Sequence, residues 1–402
     1  MPEAVIVATG RTPIGRAVKG SLVECRPDDL SALVIKTVLA KVPQLKAGDI
    51  EDVLLGCGQP AGEAGYNIAR VAAILAGLDN APGVTVNRYC SSSLQTIRMA
   101  AHAIRAGEGD VFIAAGVETV SRYGNGASDT GPHNTAFTTA EARTKERTPA
   151  VTEPWTPLEG TLPDVYIAMG QTAENVAEFE KVSRGEMDEF AVLSQSRAVE
   201  NQENGFFERE IIPVTLADGT IVAKDDGPRA GTTLEGLANL KPVFRQGGTI
   251  TAGNACPLND GAAAVIVMSD TKAKELGITP LARIVASGVT GLNPEIMGLG
   301  PVDACRQVLA RANMAIDDID LVEINEAFAA QVIPSAKHLG ISWDKLNVKG
   351  GAIALGHPFG QTGARIMTTL LNALEDTGKT FGLESMCVGG GQGMAMIVER
   401  LS

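Results

Sequence analysis

The chain has 402 residues with 34 Lys and Arg against 47 Asp and Glu, a net charge of −13 at pH 7 that excludes nucleic acid as its main partner. With 45% hydrophobic and 20% charged residues it is a globular chain rather than a disordered one. The 45 glycines and only 4% aromatic residues favour an Ala/Val/Gly-rich α/β protein with tight turns, and the length allows two or three domains or two packed halves.

In chain order, the pattern predicts a short apolar strand over Ala4–Thr9, a helix over Leu30–Leu39, a strand over Val53–Gly56 and a helix over Asn67–Ala76. A strand over Val84–Asn87 runs into Tyr89-Cys90-Ser91-Ser92-Ser93. Leu94, Ile97, Ala101 and Ile104 then fall on one helical face, and Asp110–Ala115 forms the next strand. This alternation predicts a mostly parallel sheet for the first half. The polar, Gly/Thr/Pro-rich stretch Tyr123–Pro163 reads as an excursion over the surface outside any core. Helices are expected at Thr172–Glu180 and Met187–Asn201, inside an inserted subdomain. Thr249–Met268 returns to the sheet, and strands at Ala282–Ala286, Leu321–Ile324 and Ser385–Val388 alternate with helices at Asp303–Ala312 and Ala364–Leu374. The division is 1–120 with 249–272 as a first half, 121–248 as an inserted loop domain and 273–402 as a second half.

No apolar run approaches the roughly 18 residues of a membrane span, and Glu3 interrupts any signal-peptide pattern at the start. The six cysteines (25, 57, 90, 256, 305, 387) lack C-x-x-C spacing, which fits a reducing, cytoplasmic compartment and a nucleophile rather than a disulfide framework. The four histidines do not pair at i, i+3 or i+4, so no zinc site is expected.

Four positions stand out chemically. Cys90 sits where a strand gives way to a helix, so the helix dipole should lower its pKa and favour the thiolate; a buried structural cysteine is the alternative. His357, within Gly356-His357-Pro358-Phe359-Gly360-Gln361-Thr362-Gly363, has Pro358 suited to the first position of a following helix. A histidine there should stay neutral near pH 7 and accept a proton from a thiol, or simply cap the helix. Cys387 precedes Gly389-Gly390-Gly391 and Gly393, whose unobstructed N–H groups suit an oxyanion hole but equally suit a turn between strands. Asn325, after the strand Leu321–Ile324, is either a helix N-cap or an amide holding a water at the C-terminal edge of the sheet. Two lookalikes fail. Gly378-Lys379-Thr380 lacks the phosphate-loop glycine at Ala373, and no helix follows Gly389–Gly393 to make a dinucleotide site.

Taken together, Val86–Gln95 around Cys90, Asn325-Glu326-Ala327-Phe328, Gly356-His357-Pro358 with Gly360 and Gly363, and Cys387-Val388-Gly389-Gly390-Gly391 resemble the signature blocks of the thiolase family. Arg11-Thr12-Pro13, Thr251–Asn254 and Asn259–Ala263 extend the resemblance, which runs in order from about residue 4 to 399. It implies an α/β, five-layered αβαβα fold of two similar halves with an inserted loop domain, as a homodimer or homotetramer. Carried over by position, Cys90 would be acylated, His357 would activate it and Cys387 would act as acid/base. His357 with a water held by Asn325 would stabilise the enolate, and the N–H groups of Cys90 and Gly389 the tetrahedral intermediate.

Coenzyme A would enter as co-substrate, with no tightly bound cofactor and no metal. The matching positions are Met169, Arg229, Gly236, Phe244, Ala252, Cys256, Leu258 and Phe328. Ala168 stands where short-chain relatives usually have His, and Cys256 where many have Ser. The first departure favours a degradative 3-ketoacyl-CoA thiolase, acting on acyl-CoA in lipid breakdown with a β-oxidation enzyme as a candidate partner, over a biosynthetic acetoacetyl-CoA thiolase. A decarboxylating ketoacyl synthase would need a histidine where Cys387 stands. A non-catalytic acyl-CoA-binding homologue would not need Cys90, Asn325, His357 and Cys387 together.

Overall fold

The computed structural model describes residues 2–148 and 153–402. In chain order the elements of the first half are β1 (Ala4–Arg11), β2 (Gly15–Arg16), α1 (Pro27–Ala40), β3 (Asp52–Gly56), α2 (Ile68–Leu75), β4 (Gly83–Val86), α3 (Ser92–Ala106) and β5 (Val111–Thr119). An excursion carries α4 (Thr138–Arg147), α5 (Met169–Phe179), α6 (Arg184–Glu203), the ribbon β6 (Val214–Thr215) and β7 (Ile221–Val222), and α7 (Leu234–Ala238). The chain then returns through β8 (Asn259–Ser269) and α8 (Asp270–Glu275). The second half comprises β9 (Ala282–Gly291), α9 (Gly300–Ala312), β10 (Leu321–Ile324), α10 (Ala329–Leu339), α11 (Ala352–Leu355), α12 (Thr362–Thr377), β11 (Phe381–Val388) and β12 (Gln392–Arg400).

One sheet path runs β10-β11-β12-β9-β1-β8-β5-β3-β4, with β2 added to β8. The mostly parallel expectation is corrected: only β10/β11, β3/β4 and β3/β5 are parallel, while the other pairs along the path are antiparallel. The cause lies in the connections. β11 and β12 are joined by Gly389–Gly391, a turn too short for a crossover, and β8 arrives from the excursion rather than from a βαβ unit. The two halves touch in the sheet only through the two-residue pairing Val5↔Arg283 and Ile6↔Ala282 of β1 and β9.

Helices make three layers around the strands. α1 and α2 cover one face of the first half, where Val34, Ile35 and Val38 meet Leu55, Ile113 and Ile266. α3 and α12 pack on each other in the middle. The stripe read from the sequence, Leu94, Ile97, Ala101 and Ile104, is 0% exposed there against Ile366, Leu370 and Met396, and each large side chain so buried is worth about 1.5–3 kcal/mol. α9 covers β9 and β12, with α10 beside it. Helix, sheet, helix, sheet, helix is the resulting order.

The excursion differs from its reading as a coreless surface loop. It contains α4, and it buries Ala140, Trp155 and Asp164. Glu295 of the second half is the anchor, accepting from Trp155 Nε1 (2.7 Å) and Asp164 N (2.8 Å). A polar composition hid these contacts because the partner is more than 130 residues away. Residues 149–152 of this stretch lie outside the described residues. The Arg11 guanidinium is likewise buried, bidentate to Asp225 (2.7 and 2.9 Å) and bonded to Glu210 (2.7 Å), and it ties the end of the excursion to β1. No helix of the described residues is long and apolar enough to cross a membrane.

Candidate active site

The elbow after β4 is strained: Tyr89 has φ 42°, a left-handed value uncommon for a ring-bearing residue. Asn87 holds it, its Oδ1 accepting from Tyr89 N (2.8 Å) while its Nδ2 donates to Gly58 O (3.1 Å). A 3₁₀ turn over Tyr89–Ser91 then leads into α3, so Cys90 is presented at the sheet's C-terminal edge, 7% exposed. The expected lowering of its pKa is corrected. Burial pushes the Cys90 thiol up to about 11, and the amides of Gly389 and Cys90, which favour the thiolate, offset only part of that. The helix-end position is real, but desolvation outweighs it.

His357 is 2% exposed and lies in a loop rather than at a helix start. Pro358 is not the first helical residue, since α12 begins at Thr362; instead its carbonyl accepts from Gln361 N and Thr362 N (both 3.0 Å). The ring is held at both ends. Nε2 lies 3.3 Å from Asn325 Nδ2, and Nδ1 lies 2.7 Å from Thr362 Oγ1. Thr362 donates its single hydroxyl proton to Pro358 O (2.8 Å), so it accepts from Nδ1–H, and Nε2 is left with the lone pair facing Asn325. Burial, reinforced by the positive charge of Arg365, lowers the His357 pKa to about 3. The neutral state expected from the sequence is therefore met, with burial and Arg365 as its causes in place of a helix dipole.

Close backbone contacts fix this loop. Gly356 has φ 113°, and a Cβ there would lie 2.6 Å from the Asn259 amide, whose Oδ1 accepts from His357 N (2.9 Å). Gly360 rests on β5: a Cβ would come within 2.1 Å of Val117 O. Its N–H donates to the buried Glu118 (2.9 Å), which also accepts from Gly58 N (2.7 Å) and Tyr123 OH (2.9 Å).

Asn325 is not an N-cap. α10 begins four residues later with Phe328 in the capping position. Ser385 O accepts from Asn325 N (2.9 Å), Gln331 Nε2 donates to Asn325 O (2.7 Å), and the side-chain Oδ1 is buried with no protein partner. Cys387, 0% exposed on β11, has its pKa raised well above the ordinary thiol value by burial, then by the nearby Cys90 and Cys256. A pKa tuned towards neutrality is thus not what the resting site provides. The turn Gly389–Gly391 is both things at once, a hairpin between β11 and β12 and the source of the Gly389 amide at Cys90.

The eight residues matched to coenzyme A do not share one cavity. Met169 lines a cleft of about 450 Å³ together with Cys90, Gly389 and Phe359. Phe244 and Phe328 meet edge to face at 6.1 Å, and Cys256 N donates to Ala327 O (3.0 Å) beside them. Gly236 N is capped by Thr233 Oγ1 (3.2 Å), next to the turn that carries Ala252; Leu258 is 56% exposed. Arg229 lines a separate cleft of about 610 Å³ with Gln195 and Glu200. Among the described residues no group of three or more His, Cys, Asp or Glu side chains is placed to hold a metal.

Several contributors escaped the sequence reading. Thr362, Glu118 and Asn259 position the His357 loop, and Ser93 Oγ accepts from Ala364 N (2.9 Å) at the start of α12. Thr362 had a signal in its place within the glycine-rich block. Asn259 stood in a block that extends the resemblance, but its bond to the His357 loop, 98 residues away, was not legible, and Glu118, 242 residues from Gly360, had no signal. In the outer wall of the Cys90 cleft, Ser128–His133 came from the stretch read as a surface excursion, and Val165–Ile167 follow just after it.

Family models for the thiolase N-terminal domain and the thiolase C-terminal domain match residues 4–271 and 278–400. A β-ketoadipyl-CoA thiolase of Acinetobacter baylyi is 44% identical over the full length of both chains. A 3-ketoacyl-CoA thiolase of Bacillus subtilis is 41% identical, over 99% of this chain and 100% of that one. Among solved structures, the Bacillus anthracis acetyl-CoA acetyltransferase superposes with a TM-score of 0.86 at 39% identity, covering 100% of this chain and 99% of that one.

Proposed function

The chain belongs to the thiolase family of acyltransferases, and from that premise we propose that it cleaves 3-ketoacyl-CoA with coenzyme A as co-substrate, through an acyl group carried on Cys90. The observation that carries this reading is the grouping of Cys90 with the Gly389 amide and Cys387, and of Asn325 with His357, the second pair joined to the strand of Cys387 by the bond from Asn325 N to Ser385 O.

Cys90 Sγ attacks the 3-oxo carbon, giving up its proton to the neutral His357. The developing oxyanion is met by the N–H groups of Cys90 and Gly389. The bond between C2 and C3 then breaks. The electron pair stays with C2 as the enolate of acetyl-CoA, its oxygen stabilised by His357 and a water on Asn325, whose open Oδ1 supports such a site. Cys387 delivers a proton to C2. The thiolate this leaves on Cys387 takes the proton of a second coenzyme A, whose sulfur attacks the acyl-cysteine; the bond to Cys90 breaks, and His357 returns to the Cys90 sulfur the proton it first took. Splitting the transfer into two steps implies ping-pong kinetics.

Both thiols and the histidine are neutral at rest, which suits proton transfer coupled to attack rather than a standing thiolate. Ala168 in place of histidine, and a cleft running past Cys90 as far as Tyr166, support chains longer than acetoacetyl and a degradative role. We extend the reading to a reducing cytoplasm, in keeping with six free cysteines. It also includes a homodimer or homotetramer, for which the free edge at β4 offers a pairing strand, and a β-oxidation partner enzyme.

In thiolysis assays Cys90→Ser should lose activity by at least about a thousandfold, and mass spectrometry of the wild type with 3-ketoacyl-CoA should place the acyl group on Cys90. Labelling elsewhere with an active Cys90→Ser variant would overturn the mechanism; turnover of acetoacetyl-CoA alone would overturn the degradative reading.

A further inference from the structure

We propose that the cleft beyond Cys90 selects uncharged acyl groups and turns away acyl chains that end in a carboxylate, with Asp129 as the determinant. The inference rests on the thiolase reading above and adds the substrate class to it. Some relatives are named for a six-carbon chain with a terminal carboxylate, so the distinction matters for where this chain stands among them.

The far wall of the cleft is built by the loop around Asp129 and His133 and by Tyr166. Among the described residues that line it there is no Lys or Arg, and its one carboxylate is Asp129. Several of the donors nearby are committed to oxygens of the protein. The Tyr89 hydroxyl donates to Asp129 Oδ1 (3.3 Å). Ser128 N (2.7 Å), Ser128 Oγ (3.0 Å) and Asp129 N (2.8 Å) all donate to Gln59 Oε1. His133 turns Nδ1 towards Glu141 (3.2 Å), and its ring lies flat on Tyr166, with centroids 3.8 Å apart and planes at 9°. What this wall offers an incoming chain is the stacked Tyr166 and His133 rings, Phe359, Met169, the neutral polar groups of Gln59, Ser128 and Thr130, and one negative charge.

A terminal carboxylate entering here would meet Asp129 with no cation to balance the pair, a like-charge contact costing at least about tenfold in affinity near a protein surface. An alkyl terminus of the same length brings no charge up to Asp129, and a hydroxyl could donate to it.

The test compares 3-oxohexanoyl-CoA with 3-oxoadipyl-CoA, which share a six-carbon acyl backbone and differ in the terminal methyl or carboxylate, using thiolysis by the full-length enzyme. The neutral substrate should have a kcat/KM at least about tenfold higher. Asp129→Asn should narrow that ratio about three- to tenfold, mainly by lowering KM for the anionic substrate, while Asp129→Glu should retain it. Equal or better turnover of 3-oxoadipyl-CoA by the wild type would overturn the inference, and so would an unchanged ratio in Asp129→Asn. Acetoacetyl-CoA, two carbons shorter than either, separates the two readings. Failure to turn over any of the three thioesters defeats the proposed function, whereas turnover of acetoacetyl-CoA without the preference defeats this inference alone.

Discussion

The loop that carries His357 and the loop that carries Asp129 and His133 face the same cleft, but they are held by opposite means. Around His357 the contacts are buried and interlocked: Gly360 lies against Val117 O, its N–H is taken by the Glu118 side chain, and Thr362, Asn325 and Asn259 hold the histidine. Around Asp129 the residues are exposed, and side chains do the holding, through Gln59, Tyr89 and the stacked rings of His133 and Tyr166. The difference separates two tasks. Proton transfer and oxyanion binding need lone pairs and N–H groups fixed to within a fraction of an ångström, which interlocked backbone supplies. Choice of acyl group needs only a surface of given charge and shape, which exposed side chains supply and can change without refolding the site.

The comparison breaks most readily at Asn325. Asn325→Ala should lower kcat for thiolysis by about a hundred- to a thousandfold, the usual loss for one donor at a developing oxyanion, with thermal unfolding little changed; a loss below tenfold would remove the enolate role. The pH behaviour of Cys90 comes next. Because burial holds its pKa at about 11, the thiolate fraction and the rate of iodoacetamide labelling at Cys90 should climb about tenfold per pH unit between pH 7 and 9. That is roughly a hundredfold over the range, and a plateau below pH 8 would mean a thiolate already formed at rest. The smallest effect belongs to the other wall. His133→Ala removes one face of the Tyr166 stack and should raise KM for a six-carbon substrate only about two- to fivefold, the scale of a single aromatic contact; a collapse of kcat would show that this wall also positions the reacting carbon.

Much of the buried wall was legible in the residues. The elbow at Cys90 and the helical stripe from Leu94 to Ile104 stand where the pattern put them, because each is written in spacings of a few residues, whereas His357 lies in a loop and not at the helix start expected for it. Less of the exposed wall was legible. Ser128–His133 and Tyr166 carry no periodicity, and a polar loop reads the same whether it lines a cleft or faces solvent alone. Asn325 shows the intermediate case: its type suited both a cap and a site, and only the position of His357 decides between them.

By itself the sequence determined the βα alternation, the family and the four blocks of residues that meet at the strand ends, since local spacing and residue type are enough for those. Tertiary structure decided the mixed direction of the sheet, the docking of the excursion on Glu295, the protonation of the site and the composition of its outer wall. The reason is physical. Desolvation, close backbone approach and hydrogen bonds such as Gly360 to Glu118, 242 residues apart, depend on which distant segments are packed together. A helix dipole can be read at Cys90 from its neighbours in the chain, but the burial that overrides it exists only once distant segments such as the one carrying Gly389 have packed around the sulfur.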